Sequence, residues 1–258
     1  MKKIPNELII YENYAELVIT RANGTKIHTQ IDIDKIDLVK SKHWSYNNTG
    51  YIRSTAKEKY IPLHRFLLNA KEGLVVDHID GNPLNNLMDN LRICTLKQNG
   101  QNARNRKVSS GIVGVRKDIR CKTSYRAQIY FSSNTHIEKT FKDKESAILR
   151  RLTWELMYFG EFAPQMELIE KEYPYLLNYL KVRDKMVFSN DMENIKAIGS
   201  KLKQDPHCPC MLKKNDNTLC PCLPCRTQQH CHCEFFVPIG SQVDYYEKKY
   251  NMPWKTEI

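Results

Sequence analysis

The chain has 258 residues, a net charge of +11 and 41% apolar residues. That length exceeds one ordinary core, so two or three compact units are expected. No run of about 18 apolar residues occurs, and the N-terminus (MKKIPNELIIYENYAEL) lacks the apolar stretch and small-residue cleavage site of a leader. These features speak against a membrane protein or a secreted one and for a cytoplasmic chain whose cysteines stay reduced.

Basicity is concentrated in the first part: residues 1–165 hold 27 Lys/Arg against 17 Asp/Glu, and residues 166–258 hold 13 against 12. Between Arg92 and Arg126 ten cations (Arg92, Lys97, Arg104, Arg106, Lys107, Arg116, Lys117, Arg120, Lys122, Arg126) face the single acid Asp118. Such a run suits a solvated face or, through counterion release, a phosphate backbone.

In chain order, residues 1–60 mix β-rich runs (ELIIY, AELVIT, YIRS) with turns such as Ala22-Asn23-Gly24, predicting a small antiparallel platform. Residues 61–106 read as a short apolar helix (PLHRFLLNA), a strand (LVVDHID), a Gly/Asn/Pro-rich loop, a second strand (LRICT) and a polar helix to about Arg106. Residues 109–163 predict three strands (GIVGVRK, YRAQIYF, HIEKTF) and a helix capped by Asp143, with Ala147, Ile148, Leu152 and Leu156 on one apolar stripe. Residues 164–181 are expected to be a linker. The last unit, 182–258, opens with a helix whose Met192, Ile195, Ile198 and Leu202 share a face, then enters a cysteine cluster. An α+β multidomain chain is predicted.

Chemistry first gathers in VVDHIDGNPLNNLMDNLRICTLKQNGQN. Asp77 and His78 end an apolar strand, Asn90 closes the loop, and Asn99 lies on the following helix. A hard ion such as Mg²⁺ or Mn²⁺ takes oxygen ligands, few of them from protein, so Asp77 and the Asn99 amide oxygen would suffice. His78 would project to the other side of the strand, where a near-neutral imidazole can take a proton from water. Asp-Gly-Asn-Pro is also ordinary turn chemistry, while an EF-hand is disfavoured because the oxygen residues miss its alternating positions and no Glu closes the loop.

The stretch resembles the HNH homing-type endonucleases of phage origin through Leu63-His64-Arg65, Asp77 to Asn82, Asp89-Asn90-Leu91-Arg92, Asn99 and Asn102. The resemblance covers about residues 5–106. It implies a ββα-metal (His-Me finger) fold acting on double-stranded DNA in a host cytoplasm, with His78 as general base, Asp77 and Asn99 as metal ligands and Asn90 as the loop brace. The segment from Ser109-Ser110-Gly111 through the amphipathic helix resembles an AP2-type DNA-binding domain. By that likeness Arg116, Arg120, Lys122 and Arg126 face DNA, with Arg92, Arg104 and Arg106 beside them.

Seven of nine cysteines fall between Cys208 and Cys233, as Cys208-Pro209-Cys210, Cys220-Pro221-Cys222, Cys225 and Cys231-His232-Cys233. Structural zinc sites usually use four ligands and Cys-X2-Cys spacing, so zinc is the competing reading. A 4Fe-4S cluster takes four thiolates and leaves a pair for dithiol–disulfide exchange. The order resembles the catalytic subunit of ferredoxin-thioredoxin reductase, across about Arg183 to Val237. That resemblance implies that Cys208, Cys220, Cys222 and Cys231 hold the cluster. It gives Cys210 and Cys233 the redox-active disulfide and His232 a part in proton transfer, with a ferredoxin-like donor and a thioredoxin- or glutaredoxin-like target. Two departures stand out: only nine residues separate Cys210 from Cys220, and Cys225 is an additional thiol. An HNH gene inserted into or fused with a reductase gene would account for both modules without coupling between them.

Overall fold

The computed structural model describes residues 6–56, 59–101, 111–119, 121, 123–131 and 135–241. It divides into two compact units, residues 1–103 and 104–258. Among the described residues no helix is long and apolar enough to cross a membrane.

In the first unit, β1 (Glu7–Ile10), β2 (Ala15–Thr20) and β3 (Lys26–Ile31) form an antiparallel meander. A short helix α1 (Ile36–Lys40) leads to a second antiparallel sheet of β4 (Ser45–Tyr46), β5 (Ile52–Ala56) and β6 (Lys59–Pro62). Alternation along β2 puts Ala15, Leu17 and Ile19 into a core with Ile31, Val39, Trp44, Ile52 and Leu63. Trp44 anchors this platform, its indole N–H donating to the Val39 carbonyl at 2.8 Å. Helix α2 (Leu63–Leu67) then feeds the hairpin of β7 (Val75–His78) and β8 (Leu91–Cys94), followed by α3 (Leu96–Gln101). The predicted strand, loop, strand, helix order is therefore present, and the end of the polar helix toward Arg106 lies outside the described residues.

The second unit begins with the antiparallel sheet β9 (Val115–Lys117), β10 (Tyr125–Tyr130) and β11 (His136–Phe141), β10 lying in the middle. Gly114 precedes it at φ +80°, where a Cβ would sit 2.4 Å from the Gln128 carbonyl oxygen, so only glycine lets the strands approach. Helix α4 (Lys144–Phe159) is capped by Asp143, whose carboxylate accepts the Ser146 N–H at 2.8 Å. One apolar stripe was expected on it; instead nearly every residue from Ser146 to Phe159 is buried. The sheet covers one side, and α6 (Met192–Gln204), β12 (Met186–Phe188) and the 3₁₀ turns of Pro174–Lys181 cover the other.

Residues 164–181 are not a linker. They form α5 (Met166–Glu172) and those turns, with Ile169, Tyr175, Leu176 and Tyr179 buried in a core that runs without a break from Val115 to Phe236. At roughly 1.5–3 kcal/mol per fully buried large side chain, such a segment belongs to the fold it crosses. The division into separate 109–163 and 182–258 domains gives way to one unit. Its last described elements are α7 (Leu223–Gln228) and β13 (Phe236–Pro238), which pairs with β12.

Candidate nuclease and cysteine sites

At the end of β7 the two neighbouring side chains meet different partners. Asp77 faces Arg92 across the β7–β8 ladder, and the guanidinium donates through Nε and Nη2 to Oδ2 at 2.9 and 2.7 Å. Arg92, expected at DNA, is thus engaged beside the candidate metal ligand. His78 is buried, its Nε2 lying 3.3 Å from Asn86 Oδ1. Asn86 is fixed in turn by donating to Thr29 Oγ1 and to the Pro83 carbonyl. The His64 ring meets His78 edge-on at 5.1 Å, and Tyr51 stacks obliquely on both.

Burial disfavours the imidazolium in this nest. It holds His78 below the ordinary histidine range, and it takes His64 down to about 4, with the His78 and Arg65 charges as smaller causes. Both rings therefore stay neutral near pH 7, the form in which an imidazole can accept a proton. Asn90 ties the loop: its Oδ1 accepts the Asp80 N–H at 3.0 Å, and its Nδ2 donates to Asp80 Oδ1 and to the Asn85 carbonyl. Burial opposes the Asp80 carboxylate, but hydrogen bonds from the Asn82 backbone N–H and from the Asn85 and Asn90 side-chain amides hold its carboxyl below the usual carboxylate range.

Asn99 sits exposed on α3. Its backbone N–H faces the Cys94 sulfur, which also feels the Asp77 charge. A carboxylate with an amide oxygen would be a hard donor set suited to Mg²⁺ or Mn²⁺. Sequence reasoning gave no role to His64, Asn86 or Tyr51. Leu63-His64-Arg65 was the only signal, because the nest joins three segments far apart in the chain.

The expected DNA-facing cations fare unevenly. Arg126 donates to Asp118 at 3.0 Å and to Glu138 at 3.0 Å, and only 13% of its side chain is exposed. Cross-strand neighbours neutralise it, Asp118 coming from the β9–β10 turn and Glu138 from β11. Arg116, its register partner on β9, is exposed. Arg104, Arg106, Arg120 and Lys122 lie outside the described residues, as does Asn102.

The cysteines come together on loops held by hydrogen bonds. Cys208 N–H donates to the Thr218 carbonyl and Cys220 N–H to the Pro206 carbonyl, bringing the first two Cys-Pro-Cys segments side by side. Asn194 of α6 donates to the carbonyls of Cys233 and Glu234, fixing the third. Cys208 and Cys233 sulfurs are 4.0 Å apart, Cys231 and Cys233 3.5 Å, and the sulfurs of Cys208, Cys210 and Cys233 all lie within 4.8 Å of one another.

Cys208, Cys220, Cys222, Cys225 and Cys233 are buried, Cys231 is half-buried and Cys210 is exposed. A hydrogen bond from Cys233 draws the Cys208 thiol down to about 6, and hydrogen bonds from Cys225 first and then Cys233 draw Cys231 down strongly. Burial pushes Cys220 up. A nest of convergent, partly deprotonated sulfurs suits a soft metal centre, iron–sulfur or zinc. His232 is exposed, its ring edge-on to His230 at 4.2 Å.

Two families match the chain. Residues 69–101 match the family described as HNH endonuclease, and residues 164–252 that of the ferredoxin thioredoxin reductase catalytic beta chain. The second begins at the stretch first expected to be a linker, in agreement with its burial. The protein named Uncharacterized HNH endonuclease L560, of Acanthamoeba polyphaga mimivirus, is 35% identical over 154 residues, which span 57% of this chain and 77% of that protein. Protein 3.8 of Escherichia phage T7 is 47% identical over 45 residues, 17% of this chain and 37% of its own length. No solved structure matches. Hairpin, helix and matches together define a nuclease module joined to a reductase-like domain. The chain belongs to the HNH endonucleases.

Proposed function

We propose that the chain hydrolyses phosphodiester bonds in double-stranded DNA, with His78 as general base, Asp77 and Asn99 as ligands of one divalent ion and Asn90 as the brace of the loop. The observation that carries this is the nest around His78: a ring kept neutral by burial, oriented by Asn86 and His64, one residue from a carboxylate that is held on another partner. Neutral His78 takes a proton from water as the water oxygen attacks phosphorus, and the bond to the 3′ oxygen breaks. A bound Mg²⁺ or Mn²⁺ would supply polarisation of the phosphate and charge stabilisation of the leaving oxygen. Arg92 keeps the Asp77 carboxylate in place, and Arg116 offers a phosphate contact.

His78→Ala should lower plasmid nicking in Mg²⁺ by about 10²–10⁴-fold while salt-dependent DNA binding stays near its original level. Undiminished nicking by this variant would remove His78 from the reaction.

A second reading rests on the contrast between exposed Cys210 and the buried sulfurs behind it. Cys208, Cys220, Cys222 and Cys231 would hold a 4Fe-4S cluster, whose chemistry is one-electron transfer. Cys210 would meet the disulfide of a thioredoxin- or glutaredoxin-like protein, with Cys233 as its resolving partner and His232 close by for proton transfer. Electrons would come from a ferredoxin-like donor. A brown protein carrying iron and sulfide after anaerobic purification is expected, and a colourless zinc protein would replace this reading with a structural zinc site.

A further inference from the structure

His64 stands in the first turn of α2 and is only 9% exposed. Among the described residues its ring nitrogens have no hydrogen-bond partner. A buried polar ring left unbonded is costly, and an apolar side chain would serve packing better. The cations nearby are committed elsewhere: Arg65 donates to the carbonyls of Ala70, Lys71 and Leu74, and Arg92 donates to Asp77. Tyr51, held by Asn47 Oδ1 accepting its N–H at 2.8 Å, keeps 38% of its surface exposed. Its ring lies 5.4 Å from His64 and 6.1 Å from His78, so it marks the side on which the nest reaches solvent. The two histidine rings are 5.1 Å apart, and hydrogen bonds of about 2.6–3.2 Å from both can meet one phosphate and the water that attacks it.

We propose that His64 is a second catalytic residue of the nuclease site, donating its ring N–H to a non-bridging oxygen of the scissile phosphate while His78 takes the proton from water. The inference rests on the hydrolysis proposed above and adds substrate contact to a residue given there only the orientation of His78. Burial keeps the ring uncharged near pH 7, with one N–H to donate. As water attacks, negative charge gathers on the non-bridging oxygens, and a donor already in place stabilises it without reorganising. His64 itself gains and loses no proton.

The test is nicking of supercoiled plasmid in Mg²⁺ by the full-length protein, with kcat and KM separated, for wild type, His64→Phe and His64→Gln. Phe fills the nest without a donor, whereas Gln keeps an N–H with less packing. His64→Phe should lose about 10²–10³-fold in kcat with KM near that of wild type. His64→Gln should be about tenfold faster than His64→Phe, the reverse of what a packing role requires. An undiminished kcat in His64→Phe, a loss carried in KM alone, or His64→Gln no faster than His64→Phe overturns this proposal and leaves the hydrolysis standing. A wild type that nicks in neither Mg²⁺ nor Mn²⁺ overturns both. Should the variants fail to fold, the wild-type protein decides on a duplex containing the mapped nick, with sulfur replacing each non-bridging oxygen of the scissile phosphate in turn. Sulfur at the oxygen bound to the ion slows nicking in Mg²⁺ and is relieved by the softer Mn²⁺. Sulfur at the oxygen held by His64 should slow it about tenfold in either ion. Relief of both isomers by Mn²⁺, or slowing by only one of them, overturns the proposal.

Discussion

The two sites are built on opposite principles. In the nuclease unit a short hairpin holds His78, and the loop is restrained by hydrogen bonds, some made within Asp80 to Asn90 and some to Thr29, Gln30 and Asp32 at the end of β3. In the second unit the sulfurs sit on loops with little regular structure, and their position depends on α6, α4 and one long apolar core. Hydrogen bonding defines the first site and apolar burial the second. Damage should therefore stay local in one and spread in the other.

The largest expected effect tests the spread. Glu155 of α4 is fully buried, paired with Arg151 at 2.8 Å and accepting from the Gln165 side chain and backbone. Glu155→Ala leaves Arg151 a buried, uncompensated cation and should cost about 3–5 kcal/mol. Hydrogen exchange should show loss of protection from the β9–β11 sheet through the cysteine loops, with the nuclease unit unchanged. Loss confined to α4 would break the comparison.

A second test uses pH on the nuclease unit. A histidine whose folded pKa is depressed binds its proton first in the unfolded chain, so the contribution of neutral His64 is present above pH 6.5 and is lost as pH falls toward about 4. That loss amounts to about 3 kcal/mol, with His78 adding in the same direction. Chemical denaturation across this range should show it, and His64→Gln should flatten the curve. Nicking should persist below the ordinary histidine range and fall as pH drops through the lowered His78 value; a midpoint at or above 6.5 would remove the burial argument.

The smallest effect sharpens the local half. Asn90→Ala removes three hydrogen bonds from the loop and should cost about 1–3 kcal/mol, lowering nicking without moving the stability of the second unit.

Much of the candidate nuclease site was legible in sequence because its pieces are close along the chain. Asp77, His78, Asn90 and Asn99 fall within two strands, a loop and a helix whose order the apolar pattern predicts, and Asn-rich turns announce their own bonds. His64 and Tyr51 were not legible as partners of His78, since only folding sets their rings against it. The partners of Arg126 were hidden for a related reason: in sequence it is one cation of ten, and only the register beside Glu138 and the return of Asp118 pair it.

By itself the sequence determined the strand and helix order, the Asp-His-Asn-Asn constellation, the cysteine spacing and the presence of a nuclease motif and a reductase-like cysteine pattern in one chain. Only the tertiary structure decided that the three-stranded sheet and the cysteine loops share one core, that residues 164–181 belong to it, and that Cys225 is buried in it. The physical reason is that periodicity reports which face of an element is apolar and not how many neighbours will cover it. A helix such as α4, with Arg150, Arg151 and Glu155 among its buried residues, reads as half-exposed until its polar groups are seen to bond inside the core.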